Sequence, residues 1–274
     1  MTLIDKRYPA VEERLNGWTS LAKQHKTMWV KYTNRGDMPP TVVAIKNGKP
    51  LIMVVAKNID KKEGLEIARL LRQGFRADEL IIFLDAHMTN PALDTEHAQQ
   101  VCKKYSTPGS MQKACDEEAA CAVGDITDAL LCHRIADDGR IEIVSMPYDY
   151  HGKEGGMAFR WKDDLVISFS EFEDEDQKIE GMIPDMLRHF MSEPYVLDNT
   201  LITAIKKDFS PEQRDFYTQR AIRSVIMARE YTILEVLDID ANDPVEKITE
   251  KLESQYKKLS AIYDGIKPFG DHTE

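Results

Sequence analysis

The side chains able to hold a metal ion or move protons are concentrated in one stretch of this 274-residue chain. All four cysteines (Cys102, Cys115, Cys121 and Cys132) and three of the seven histidines (His87, His97 and His133) fall between Leu84 and Arg134. Within that stretch, residues 84–97 read LDAHMTNPALDTEH and leave the apolar run ELIIFLD, residues 79–85, which has the character of a buried strand. Strand ends of α/β sheets are where ligands commonly bind. In a strand, Asp85 and His87 point to the same side and offer a carboxylate and an imidazole to a single ion. Asp94 and His97 stand three apart, on one face of a following helix. Asp85, His87, Asp94 and His97 are therefore the candidate ligands for zinc or another divalent metal. A metal-bound water would be the nucleophile, with Glu96 as the candidate base. Helix capping by Asp94 and a surface position for His97 account for the same residues without a metal.

The thiols make a poorer site. Structural zinc usually takes cysteines as close pairs such as C-x2-C, and the sequence has none. Cys115 and Cys121 fall on different faces of a helix, and Cys132 sits in an apolar strand, so buried structural thiols are expected. Cys132 and His133 are strand neighbours and point to opposite faces, which rules against a thiol–imidazole pair. The glycines of HGKEGG (Gly152, Gly155, Gly156, with Lys153) lack the strand-to-helix context of a phosphate loop and read as a hairpin connection. Tyr148, Tyr150, His151 and Trp161 form an aromatic group suited to stacking on a ligand, with core packing the commoner outcome. Tyr8, Trp18 and Trp29 suit the core.

The elements that must position these residues are partly readable. Val11, Leu15, Trp18 and Leu21 predict an amphipathic helix over residues 9–25. MWVKY, residues 28–32, reads as a first strand. TVVAIK and PLIMVVAK, joined by Asn47-Gly48, predict a hairpin with a type I′ turn, its second arm central in the sheet. Asp60 caps a helix through Gly74 that carries Leu65, Ala68, Leu71 and Phe75 on one stripe. The strand ELIIFLD then enters the same sheet by a crossover. Helical patterns follow over 94–105 and 111–123. Four strands come next, ALLCHRI, RIEIVSM, MAFRW and LVISFSEF, with hairpins at Asp137-Asp138-Gly139 and Lys162-Asp163-Asp164. Beyond them, Ser210-Pro211-Glu212-Gln213 predicts a capping box opening a helix over 211–237, and Asp243-Pro244-Val245-Glu246 repeats the device. The last helix carries Val245, Ile248, Leu252, Leu259 and Ile262, interrupted by Gln255, and is expected to pack on the helix of 211–237.

The fold class is thus α/β or α+β, a mixed sheet with flanking helices followed by a C-terminal helical region. Residues 1–170 form the sheet domain, 171–176 an acidic linker and 177–274 the helical region.

The helix of 61–74, the strand and its Asp-x-His turn resemble the JAB/MPN metalloproteases, over a stretch of about residues 40–150. In that family the strand ends in His-Ser-His-Pro and a later segment supplies Ser and Asp. The resemblance places His87 at the second histidine and Thr95 at the serine. Asp85 replaces the first histidine, Ala98 replaces the ligand aspartate, and TVVAIK has no glutamate for the general base. The order of elements also resembles the core of PD-(D/E)xK nucleases, where Lys57 matches the motif lysine and both metal-binding acids are missing.

Composition narrows the function classes. A net charge of −11 argues against general nucleic-acid binding. No stretch reaches the ~18 apolar residues of a membrane span, and no export signal is evident, so a cytoplasmic location is expected. The leading expectation is a non-catalytic binding or regulatory protein acting through protein–protein contacts. Its partner would meet the acidic run Glu171, Glu173, Asp174, Glu175, Asp176 or the C-terminal helix, residues 244–263, and a homo-oligomer built on the helical region is a further expectation. The alternative is the divalent-metal hydrolase with its site at the end of the strand 80–85.

Overall fold

The computed structural model describes residues 9–33, 35–89, 126–153, 156–162, 167–170, 182–195, 209–235, 239–240 and 243–262. The first helix, α1 (Pro9–Thr33), is longer than its sequence pattern suggested and absorbs MWVKY. Trp18, Leu21, Ala22, His25, Met28 and Tyr32 are buried at intervals of three and four, and no glycine or proline interrupts 18–35. The unbroken helical period outweighs the β-prone composition of residues 28–32.

The hairpin forms as expected from β1 (Thr41–Lys46) and β2 (Lys49–Val55). Asn47 and Gly48 between them take φ of 53° and 72°, the positive values that a two-residue turn of this hand requires. After it comes α2 (Lys61–Phe75), whose N-terminus is capped by the Asp60 carboxylate accepting from Lys62 N–H at 2.9 Å. It crosses to β3 (Glu79–Thr89), which pairs with β1. β2 and β3 therefore run parallel with β1 between them, although every hydrogen-bonded pair among the described residues is antiparallel.

β4 (Ile126–Ala136), β5 (Ile141–Lys153), β6 (Gly156–Trp161) and β7 (Ile167–Ser170) continue the sheet. β5 is long enough to take β6 along 148–153 and β7 along 142–145. β6 and β7 are thus consecutive pieces of one edge and both pair with β5, not with each other as the hairpin expected at Lys162-Asp163-Asp164 requires; residues 163–166 lie outside the described residues. The turn at 137–139 does form, with Gly139 at φ 79°, and Lys153 pairs with Gly156 at the HGKEGG hairpin.

Residues 182–262 supply α3 (Met182–Ser192), α4 (Pro211–Ala228), β8 (Thr232–Leu234) and α5 (Val245–Ile262). The helix expected to run to 237 stops at Ala228. Glu230 takes φ 63°, and the apolar run that follows adds β8 beside β2. The strand order is β6-β5-β4-β3-β1-β2-β8, with β7 also on β5. α1 and α5 cover one face, and α2, α3 and α4 cover the other. α5 lies on α1 instead of α4, burying Ile248, Leu252 and Tyr256 and leaving Val245 exposed. Tyr256 stacks on Tyr32, and Lys31 pairs with Glu253 at 2.8 Å. Among the described residues no helix is long and apolar enough to cross a membrane. The helices expected over 94–105 and 111–123 and the acidic run 171–176 lie outside the described residues.

Candidate functional site

Strand alternation sends Ile81, Phe83 and Asp85 of β3, Leu130 and Cys132 of β4, and Val144, Met146 and Tyr148 of β5 toward α1. Asp85 and Tyr148 are the polar members of this apolar set. Opposite them α1 presents Lys26, which has no exposed surface. The lysine falls on the helix stripe, four residues after buried Ala22 and four before buried Val30. An ammonium placed there must find its partners inside the protein.

It does so completely. Lys26 Nζ donates to Asp85 Oδ2 at 2.5 Å, to Tyr148 OH at 3.1 Å and to the Gly36 carbonyl. Asp85 Oδ2 also accepts from Met38 N–H, and Asp85 Oδ1 accepts from the Tyr148 hydroxyl at 3.2 Å. All three ammonium protons and both carboxylate oxygens are engaged. The turn carrying Gly36 and Met38 is held down on the cluster, and Trp29 Nε1 fixes it further by donating to the Asp37 carbonyl at 2.9 Å. Gly36 is needed for this approach, because a Cβ there would stand 2.6 Å from Cε1 of Tyr150.

Burial acts against both charged forms of the pair, lowering the Lys26 pKa and raising that of Asp85, while their mutual attraction opposes each shift. Asp37 and Asp128 add negative potential that favours the ammonium. Burial, with Asp85 and Asp128, drives the Tyr148 hydroxyl far above its ordinary range, so it remains a proton donor to Asp85.

The residue before Lys26 on α1, His25, completes a second buried network. The Thr41 hydroxyl donates to the Pro39 carbonyl at 3.2 Å, so its oxygen accepts from His25 Nε2 at 2.9 Å. Nδ1 is then left to accept from Tyr256 OH at 2.9 Å. Burial first, then the neighbouring Lys26, lowers the imidazole pKa from 6.5 to about 3. The ring is a neutral bridge between α1, β1 and α5. At the far end of the same sheet face, Arg134 lies between Glu79 at 2.8 Å and Glu142 at 2.7 Å.

The candidate metal ligands fare unequally. Asp85 and His87 lie within β3, which runs four residues beyond the strand end expected at Asp85. In the pairing register His87 faces Asp128, which faces Tyr148, which faces Trp161. The side chains of His87 and His151 and all of Asp94, Thr95, Glu96, His97 and Ala98 lie outside the described residues, as do Cys102, Cys115, Cys121 and Tyr8. A metal at Asp85 would have to displace the Lys26 ammonium from Oδ2 or the Tyr148 hydroxyl from Oδ1, and would set a second cation beside the buried ammonium. Among the described residues no three His, Cys, Asp or Glu side chains converge to hold an ion.

Cys132 and His133 face opposite sides of β4, as alternation demands. Burial raises the Cys132 thiol far above its ordinary pKa and lowers the His133 imidazole to about 4. Tyr148, Phe159 and Trp161 pack on one another at centroid distances of 5.0–5.8 Å, so this part of the aromatic group is core. Lys57, the motif lysine of the nuclease resemblance, pairs with Glu230 at the surface. The helix and strand that carried the JAB/MPN resemblance form as α2 and β3.

Lys26, His25 and Tyr256 were not readable as site residues because lysine, histidine and tyrosine on a helix normally mark its wet side. The available signal was a lysine inside an apolar stripe. Comparison with protein-family models, with curated protein sequences and with solved structures finds no match.

Proposed function

We propose that this protein is a non-catalytic binding or regulatory protein that acts through protein–protein contacts. The observation that carries this reading is the placement of its apolar and polar groups on α4. Phe216, Tyr217, Val225 and Met227 lie exposed on one helix, whereas the Lys26–Asp85–Tyr148 and His25–Thr41–Tyr256 networks face inward with their polar atoms partnered. An active centre needs groups with unfilled bonding capacity facing a substrate. The Lys26–Asp85–Tyr148 cluster has its capacity filled from within and serves to lock α1, the turn at 36–38, β3 and β5 together.

The test is reconstitution of a complex. Proteins captured by the intact chain are identified, made pure and mixed with it, and the expected result is a stoichiometric species by light scattering. Metal content is measured in parallel on protein prepared without a histidine tag. Near-stoichiometric zinc that is lost in His87→Ala/His97→Ala, together with turnover of a small substrate, would overturn the reading in favour of a metal-dependent hydrolase. Those substitutions leave the Lys26–Asp85 pair in place, so loss of metal would not reflect loss of the fold.

A further inference from the structure

Lys26 and Asp85 are a primary amine and a carboxylic acid held in contact away from water. Nζ stands 2.5 Å from Oδ2, and the two side chains are 0% and 8% exposed. The carboxyl carbon lies one C–O bond beyond that oxygen, close to the ~3–3.5 Å separation at which bound groups react. Holding two reactants in place removes the cost of their encounter, and well-oriented pairs reach effective concentrations of about 10⁵–10⁸ M. In bulk water hydration favours the separate ions over an amide and a free water. Burial removes that hydration and acts against both charges.

We propose that Lys26 and Asp85 condense to an intramolecular amide, Nζ to Cγ, with release of one water, and that Tyr148 carries the protons. The Tyr148 oxygen accepts from Nζ at 3.1 Å, while its hydroxyl donates to Asp85 Oδ1 at 3.2 Å. A proton passed along this line leaves a neutral amine and a carboxylic acid protonated on Oδ1, with the phenol whole again. The amine lone pair attacks Cγ, and the carbonyl electron pair moves to Oδ2, where the Met38 N–H that already donates to this oxygen stabilises the charge. A second proton leaves nitrogen for Oδ1 by the same line. The Cγ–Oδ1 bond then breaks, water departs with that oxygen, and Oδ2 becomes the amide carbonyl. Nothing is oxidised or reduced. Asp37 and Asp128 favour the ammonium and hold the reaction back, so the ion pair is the state that forms first. Stability measurements on variants of either residue refer to parent protein that has not yet condensed. The bond joins α1 to β3 across 59 residues of sequence and encloses β1, β2 and α2 in a covalent loop, which leaves the unfolded chain fewer conformations.

The test is the mass of the intact chain, followed over days of incubation at neutral pH and read by mass spectrometry after unfolding. The expected result is a species lighter than the sequence mass by one water, which grows in folded protein and not in protein kept in urea. Trypsin then fails to cut after Lys26 and yields a fragment that joins the residues around Lys26 to those around Asp85. Lys26→Arg keeps the cation and Asp85→Ala removes the acid, and both are expected to keep their full sequence mass. Tyr148→Phe is expected to slow the loss by about a hundredfold or more. Should a variant fail to fold, the mass and the joined fragment of the parent protein decide alone. A parent chain that keeps its sequence mass throughout overturns the proposal. So does loss of water without a joined fragment, which marks a cyclised aspartate elsewhere in the chain, or the same loss in Lys26→Arg. An unchanged rate in Tyr148→Phe overturns the part given to its hydroxyl.

Discussion

The two faces of the sheet are packed by different chemistry. Toward α1 and α5 the core contains His25, Lys26, Thr41, Asp85, Tyr148 and Tyr256, whose polar atoms are joined in two networks. Toward α2, α3 and α4 it is almost wholly aliphatic, built from Val42, Ala44, Ile52, Val54, Ile67, Leu71, Leu80 and Ile82. The few polar atoms buried on that side include Arg72 Nε and Nη1 and His133 Nδ1, which have no hydrogen-bond partner. Aliphatic packing is fixed by volume and tolerates small slides, whereas hydrogen bonds fix direction. Helix α1 is therefore held in one register by its partners, while α2 and α4 are held by fit.

The strongest way to break this contrast is to remove the cation alone. Lys26→Met leaves the Asp85 carboxylate buried without its counter-ion and is expected to cost about 3–5 kcal/mol in urea unfolding at neutral pH. Replacing both members, Lys26→Met/Asp85→Leu, is expected to recover most of that loss. On the aliphatic face Leu71→Ala is expected to cost about 2–5 kcal/mol through its cavity, and a second truncation there adds to the first. The polar face thus shows rescue where the aliphatic face shows accumulation. A double variant no better than Lys26→Met would mean that Asp85 is held by Met38 and Tyr148 without need of the lysine.

Acid separates the two buried histidines. His25 refuses a proton in the folded protein until about pH 3 and accepts one near 6.5 when unfolded. Between those values the unfolded chain binds the extra proton, so stability falls as pH falls, by about 1.4 kcal/mol per pH unit. His133, on the aliphatic face, has the same sign over a narrower window that closes at about 4. His25→Gln retains an acceptor for Tyr256 and a donor for Thr41. Its unfolding free energy, measured by urea titration from about pH 6 to about pH 4, is expected to lose that part of the slope. A slope equal to that of the parent protein would mean that His25 takes up its proton within the fold.

What the sequence disclosed and what it hid divide along the same physical line. The Asn47-Gly48 turn, the Asp60 cap and the Ser210 capping box were legible because each is decided within a few residues. Asp85 was singled out for its type and its strand, but its partners lie 59 residues before it and 63 after it. No local spacing reports such a distance, and the carboxylate therefore read as an open metal ligand. β8 was missed for the same reason: Tyr231–Leu234 continues an apolar pattern, and only its pairing with β2 makes it a strand. MWVKY went the other way, because local composition favoured a strand and the stripe shared with Trp18, Leu21 and His25 imposed a helix.

The aliphatic face can be perturbed at its tightest point. A Cβ added at Gly74 would stand 2.2 Å from Cγ1 of Ile222 and 2.9 Å from its Cβ, where α2 meets α4. Gly74→Ala is expected to cost about 1–3 kcal/mol by overpacking, partly offset by the better helix propensity of alanine. With Ile222→Ala in addition, the overlap is gone, and the cost of the pair should fall below the sum of the two single changes in thermal unfolding. Simple additivity would show that α4 shifts freely on α2, and fit would then no longer describe how this face is held.

The smallest effect concerns how the covering helix α4 begins. Ser210 Oγ accepts from Gln213 N–H at 3.3 Å, and Gln213 Oε1 accepts from Ser210 N–H at 2.9 Å, with Pro211 starting the helix. Ser210→Ala removes one half of this exchange and is expected to cost about 1 kcal/mol. The loss should appear first as faster amide exchange in the first turn, ahead of Phe216, because Ile222 and Ile226 anchor only the later turns in the core. Uniform acceleration through Ile226 would show instead that the cap governs the whole helix, which would leave the aliphatic layer dependent on one hydrogen-bonded turn much as α1 depends on Lys26.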